Sequence, residues 1–364
     1  MSAFALVTVT TRLREFSYTV RLHHAFIVFV LLEGLLRITI FTTWIDIPFL
    51  RQARLYASPF CGDEDYFILR HYQDGDVPPT REVDPVFGWI GGTGDLRIIT
   101  DKYLSIDDVK QRPMLFFGDS FVQSGATFDK KIPQMLGALI PSMDVLNFGV
   151  GGYGTDQISL RLQREYGKFE SRKPILLIGI MLRDMDRALL RYRGGQKPYY
   201  EIDGDTLKLN LPKYKTNEEY FERYTFYSKS FVLSLLAAPM RLILHSDQWC
   251  AHKRFALNLR IIADMLGFIR NHNVDAYVVL FYAQNDLLHV SAREEEIKKI
   301  FSDLGFREII DTKEILTTYL HETANENFEI LYSKKLLWHH SVEANRAIAE
   351  GIARFLRSKR RDIK

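Results

Sequence analysis

A chain of 364 residues with 47% hydrophobic and 26% charged residues has ordinary globular composition and can bury a sizeable core, which argues against a disordered, collagen-like or multi-span membrane chain. Forty-eight basic against 45 acidic residues, a net +3, is too near neutral for a nucleic-acid partner, which calls for a concentrated basic face. Two cysteines, Cys61 and Cys250, exclude a disulfide scaffold and a four-cysteine zinc site and leave one disulfide open in an oxidising compartment.

In chain order, the first strongly biased segment is Ala25 to Ile45, in which 15 of 21 residues are apolar. A hydrocarbon core about 30 Å thick needs about 20 helical residues, so this segment is long enough to span. Arg12, Arg14 and Arg21 ahead of it and Trp44 at its far end suit a cytoplasmic flank and an interfacial anchor, which places the N-terminus inside and the remainder outside. Glu33 and Arg37 oppose a span, each at a cost of about 2.5 to 3.5 kcal/mol. Their i, i+4 spacing puts them on one helix face, where they can pair with each other or with a partner chain's helix. A buried or interfacial helix of a soluble protein is the competing reading. The long basic lead and the lack of an A-x-A-like site after the apolar stretch argue against a cleaved signal peptide.

Residues 46–111 contain Pro59, Pro78, Pro79, Pro85 and a Gly91, Gly92, Gly94 cluster and read as an extended lead-in. Short apolar runs then follow at Met114 to Phe117, Val145 to Phe148, Ile175 to Ile180 and Ala276 to Phe281, each ending in a polar or glycine-rich loop, as buried parallel strands do. Helical stretches predicted at Pro133 to Ile140, Asp156 to Tyr166, Phe255 to Asn271 and Ala292 to Leu304 supply the crossovers, and Val342 to Phe355 closes the domain. This alternation predicts an α/β fold, a parallel sheet with helices on both faces. An insertion at about 190–250 carries a hairpin, Tyr200 to Leu211 around Asp203-Gly204-Asp205, and a helical stretch, Glu218 to Leu244.

Functional residues of such a sheet gather at the carboxyl ends of its strands. The loops there are Gly118-Asp119-Ser120-Phe121, then Asn147 to Gly154, then Met181-Leu182-Arg183-Asp184. A serine where a buried strand turns into a helix holds out its hydroxyl with its own N–H facing the same space, the logic of a nucleophile elbow, here without the G-x-S-x-G string. The competing role for Ser120 is a helix cap. Glycines in the second loop allow a backbone N–H to approach a reacting carbonyl. The general base such a serine needs can come from His339-His340-Ser341 ahead of the last helix.

Gly118-Asp119-Ser120, the run Asn147 to Gln157, a third strand-end segment and a histidine before a terminal helix, in that order, resemble the SGNH (GDSL-like) hydrolase superfamily. Asp84-Pro85-Val86-Phe87-Gly88-Trp89 resembles a lead-in motif of its membrane-anchored bacterial members, and Glu33 to Arg37 the tail of their anchor. The resemblance implies a three-layer, flavodoxin-like α/β domain over 112–364, preceded by a cytoplasmic segment (1–24), one transmembrane helix (25–45) and the lead-in (46–111). It implies Ser120 as nucleophile and first oxyanion donor, Gly152 as second donor and His339 as base, with no metal or cofactor. The substrate would be an O-acyl ester of an envelope glycan, lipid or small molecule, either hydrolysed or transferred to a second hydroxyl.

Two positions depart from the family pattern. Arg183 stands where the family has an oxyanion-hole asparagine, either as a substitute donor or tied up by Asp119 or Asp184. Leu336 and Leu337 stand where the family has the histidine's aspartate, leaving a backbone carbonyl or Glu329 to orient the ring. These departures motivate the contrasting expectation, a silent SGNH-fold protein serving as a binding module or as a subunit of a membrane complex. Asp286-Leu287-Leu288-His289 has acid-x-x-histidine spacing but precedes a middle helix, and Asp184, Asp186 and Arg187 read as a solvated salt-bridge face. The basic tail from Arg354 to Lys364 lacks interleaved aromatics and reads as solvated.

Overall fold

The computed structural model describes residues 3–42, 44–58, 62–74, 83–90, 109, 112–224, 229–244, 247–324, 327–336 and 339–363. Helix α1, Ala3–Phe41, runs well N-terminal of the expected anchor, and its candidate membrane span is Val20–Phe41. The helix stops at Phe41, four residues short of the end of the expected 25–45 segment, and Trp44 lies beyond it, exposed. The lead-in, expected to be extended throughout, contains helix α2, Glu64–Asp74, with Glu64 and Asp65 in its first turn, where acidic side chains complement the helix dipole. Ile68 and Leu69 of α2 are buried with Leu36 and Ile40 of α1, which is why the segment is helical despite its proline-rich surroundings. Cys61 and Gly91, Gly92 and Gly94 lie outside the described residues; Cys250 is buried and disulfide-bonded.

The core is a five-stranded sheet, order β2-β1-β3-β6-β7 and parallel throughout. In chain order its strands are β1 (Met114–Gly118), β2 (Val145–Gly149), β3 (Ile175–Met181), β6 (Ala276–Phe281) and β7 (Ile309–Asp311). The first four follow the expected runs because strands buried on both faces read as continuous apolar segments. The edge strand β7, only three residues long, has no such run. Short helices α3 (Ser120–Gln123), α6 (Asp184–Arg187) and α11 (Gln284–Leu288) follow β1, β3 and β6, and the main covering helices are α4 (Ile132–Leu139), α5 (Thr155–Tyr166), α10 (Asp247–Asn271), α12 (Ala292–Asp303), α13 (Thr312–Glu322) and α14 (Val342–Lys359). The strand order reverses between β1 and β3, which puts the crevice of a doubly wound sheet at the carboxyl ends of those strands.

The insertion carries the expected hairpin, β4 (Tyr199–Asp203) with β5 (Thr206–Asn210). Its helical stretch is not continuous; it divides into α7 (Asn217–Arg223), α8 (Phe231–Leu236) and α9 (Ala238–Leu244). Ser230 caps α8 through Leu233 N–H, and Pro239 suits the first turn of α9, where its missing N–H costs no helical bond.

Lys197, at the start of the insertion, is fully buried and ion-paired with the equally buried Asp156 of α5, and it donates to the Leu190 carbonyl at 3.1 Å. Burial pushes the carboxyl up and the ammonium down, while each partner's charge opposes that trend. Removing one partner strands the other charge. Lys197→Met should cost about 3–5 kcal/mol in chemical denaturation, and Asp156→Leu with Lys197→Met far less; a single variant within about 1 kcal/mol of wild type would contradict this.

Candidate active site

The turn from β1 into α3 is tight. Gly149 of β2 lies so close that a Cβ there would meet Gln123 N at 2.3 Å, so only glycine fits beside the turn. Asp119 caps α3, its Oδ1 accepting from Phe121 N–H at 2.8 Å, which places Ser120 at the first helical position. Ser120 Oγ lies 2.7 Å from His339 Nε2 and 3.4 Å from Asp119 Oδ2, so its hydroxyl hydrogen points to the imidazole.

The histidine reaches the serine from the far end of the chain. Strands β8 (Tyr332–Ser333) and β9 (His339–His340) pair antiparallel, with Ser333 opposite His339, and Tyr332 Oη donates to the Tyr282 carbonyl just past β6. Alternation along β9 sends the two imidazoles opposite ways. His339 faces Ser120, and its Nδ1 lies 2.6 Å from the Leu336 carbonyl. A carbonyl only accepts, so Nδ1 carries the hydrogen and Nε2 is free to accept from Ser120. A backbone carbonyl thus occupies the place of the missing aspartate. Glu329 and His289 are both exposed, and neither side chain bonds to His339 or Ser120.

His340 is buried among the rings of Phe121, Phe281 and Tyr332, and neither of its ring nitrogens has a hydrogen-bond partner. Burial, with His339 adding to it, pushes its pKa down to about 3, so the folded state holds it neutral.

The second loop carries the oxyanion candidate. Gly152 sits at φ +87°, a conformation that side chains strain to adopt. Among the described residues the N–H groups of Ser120 and Gly152 have no hydrogen-bond partner, whereas Gly151 N–H is taken by Gln123 Oε1 at 2.6 Å. The Gly152 carbonyl accepts from Arg193 at 2.9 Å, and the Gly151 carbonyl from Trp89 Nε1 at 3.0 Å. Trp89 belongs to the Asp84 to Trp89 motif, whose Phe87 carbonyl accepts from Gln157 and whose Trp89 carbonyl accepts from Tyr153. The motif therefore braces the glycine loop.

In the third loop the expected solvated face is instead buried. Arg187 Nη1 joins Asp119 Oδ2 at 2.7 Å, Asp184 Oδ1 at 2.6 Å and the Tyr153 carbonyl at 3.0 Å. The correction has a simple cause: one guanidinium satisfies two carboxylates that the fold has removed from water. Burial and the charge of Asp119 push the Asp184 carboxyl well up. With both acids taken by Arg187, Arg183 is tied to neither; its side chain is exposed and unpaired at the end of β3. Sequence reasoning assigned no role to Gln123, Trp89 or Arg193. Arg193 has no carboxylate partner, and burial, with Arg187 adding to it, pushes its pKa down to about 10. Among the described residues, no group of three or more His, Cys, Asp or Glu side chains is placed to hold a metal ion.

No family model and no curated protein matches the chain. Its neighbours among solved structures include lipolytic proteins of the G-D-S-L (SGNH) family and acetylxylan esterases. A G-D-S-L family protein from Veillonella parvula is 8% identical with a TM-score of 0.36 over 67% of this chain and 97% of that one. An acetyl-xylooligosaccharide esterase mutant from Geobacillus stearothermophilus is 13% identical with a TM-score of 0.36 over 68% and 94%. A Bacillus subtilis protein is 15% identical with a TM-score of 0.38 over 71% of this chain, which spans 59% of that protein. The likeness is one of fold, a parallel central sheet with helices.

The buried neutral His340 sets a pH term. Its unfolded pKa of 6.5 exceeds the folded value of about 3, so on acidification the unfolded chain takes the proton first. The contribution is full above about pH 6.5 and is lost at about 1.4 kcal/mol per pH unit below it. Between pH 6.5 and 5 the wild type should lose about 2 kcal/mol relative to His340→Phe in chemical denaturation; parallel pH profiles would contradict a buried neutral ring.

Proposed function

We propose that the chain is a membrane-anchored serine esterase or O-acyltransferase acting on an ester of an envelope glycan, lipid or small molecule. The observation that carries this reading is the Ser120 Oγ to His339 Nε2 contact of 2.7 Å, with His339 Nδ1 on the Leu336 carbonyl. As Ser120 Oγ bonds to the ester carbon, its proton passes to His339 Nε2, and the carbonyl electrons move to an oxyanion accepting from the N–H groups of Ser120 and Gly152. Collapse expels the alcohol, which takes the proton from Nε2, and leaves an acyl-Ser120. Water or a second hydroxyl, deprotonated by His339, then attacks the acyl carbon and releases Ser120.

A dyad held by a carbonyl keeps the correct tautomer, whose loss is what cripples an aspartate-to-asparagine triad. It lacks the carboxylate's negative charge beside the imidazolium. That lack, with Arg183 in place of an amide donor, favours a second reading, a silent fold serving as a binding module or a membrane-complex subunit.

Helix α1 supports the anchor, since Val20–Phe41 is about 33 Å long at 1.5 Å per residue. The disulfide at Cys250 fits a domain in an oxidising compartment outside the cytoplasmic membrane.

A fluorophosphonate probe should label the wild type and not Ser120→Ala. His339→Ala should lower ester turnover by about 10² to 10⁴. Absence of labelling in the intact protein would overturn the enzymatic reading in favour of the silent one.

A further inference from the structure

Glu33 and Arg37 are charged residues within an apolar helix, and both are satisfied inside this chain. Glu33 accepts from the N–H groups of Phe231 and Val232 and from Ser230 Oγ at 3.0–3.1 Å, and so binds the N-terminus of α8. Arg37 pairs with Glu33 at 2.9 Å, donates to the Lys229 carbonyl at 2.7 Å and covers the Phe231 ring. Phe231 is buried against Phe41 and Tyr56. The start of α8 is thus fixed to α1 at a known height: Glu33 lies eight residues, about 12 Å, inside the Phe41 end of the span.

A segment fixed there must tolerate hydrocarbon, and this one does. Residues 231–244 read FVLSLLAAPMRLIL, with a single charge in fourteen residues. Leu233, Leu236, Met240 and Ile243 are all exposed, as are Leu31, Leu32, Leu35 and Ile38 of α1, on which α8 packs. Four large apolar side chains left together in water are unusual for a soluble surface. Helix α8 packs on α1, and the N–H groups of its first three residues are taken by Glu33 and Ser230, so this helix start presents no bare amide to lipid.

Resting on the reading of α1 as a membrane anchor, we propose that α8 and α9 are seated in the leaflet on the domain side, with Leu233, Leu236, Met240 and Ile243 among its acyl chains. Glu33 and Arg37 lock this segment to the anchor, and the catalytic-type domain is held against the bilayer at two places instead of swinging from one helix. The same buried cluster includes Tyr192, next to Arg193, which holds Gly152. The candidate oxyanion loop is therefore linked, through Tyr192 and Arg193, to the cluster that packs on the anchor.

The test uses the full chain in phosphatidylcholine–phosphatidylglycerol vesicles, with an environment-sensitive fluorophore on Leu236→Cys, Ile243→Cys, Leu31→Cys on the anchor, or Ile202→Cys on the hairpin. Expected is strong quenching at 31, 236 and 243 by lipids carrying nitroxides on their acyl chains, with loss of quenching by aqueous iodide, and the reverse at 202. Quenching by acyl-chain nitroxides at 31 alone, with 236 and 243 open to iodide, overturns the proposal and leaves the anchor standing. Iodide access at all four positions overturns both.

Discussion

One guanidinium ties the three strand-end loops together. Arg187, from the third loop, bonds Asp119 beside the nucleophile candidate, the Tyr153 carbonyl in the glycine loop and Asp184 in its own loop. Asp119 and Asp184 are both fully buried, so without Arg187 the site would hold two close, uncompensated carboxylates. Their mutual repulsion makes the arginine a condition of the geometry: Asp119 must stay in place to cap α3, and that cap fixes where Ser120 begins its helix. The loops of β1, β2 and β3 are independent in sequence and share one charge in space.

The histidine is held differently. Its orientation depends on a neutral acceptor three residues earlier, the Leu336 carbonyl, and on a two-residue strand pair docked at the end of β6. A carbonyl selects the tautomer as well as a carboxylate does, but it adds no full negative charge next to a developing imidazolium. In the proposed reaction such a site stabilises the charged ring less than a carboxylate would. The exposed Arg183 and the half-buried Arg193 make its rim electropositive.

Much of this was legible along the chain. The four long strands announce themselves as apolar runs, the strand-end rule pointed to Gly118 to Ser120 and the glycine loop, and a serine's need for a base pointed to His339. A carbonyl orienter was left open once Leu336 and Leu337 were seen to replace the acid. Illegible was whatever depends on distant partners. Asp184-Met185-Asp186-Arg187 looks like a solvated i, i+3 cluster until Asp119, 68 residues away, is folded against it. The strand β7 is too short to show a pattern, and α2 is helical because it packs on α1. For Glu33 the sequence offered only Arg37 or a partner chain's helix, because its further partners are backbone amides 198 and 199 residues further on.

The central claim is that a backbone carbonyl sets His339 to receive the serine's proton. The direct measurement is nitrogen-15 NMR of His339 in labelled protein, with His339→Gln assigning the signals. The neutral ring should carry its hydrogen on Nδ1 and leave Nε2 bare; a hydrogen on Nε2 would contradict the account, because that nitrogen could not then accept from Ser120.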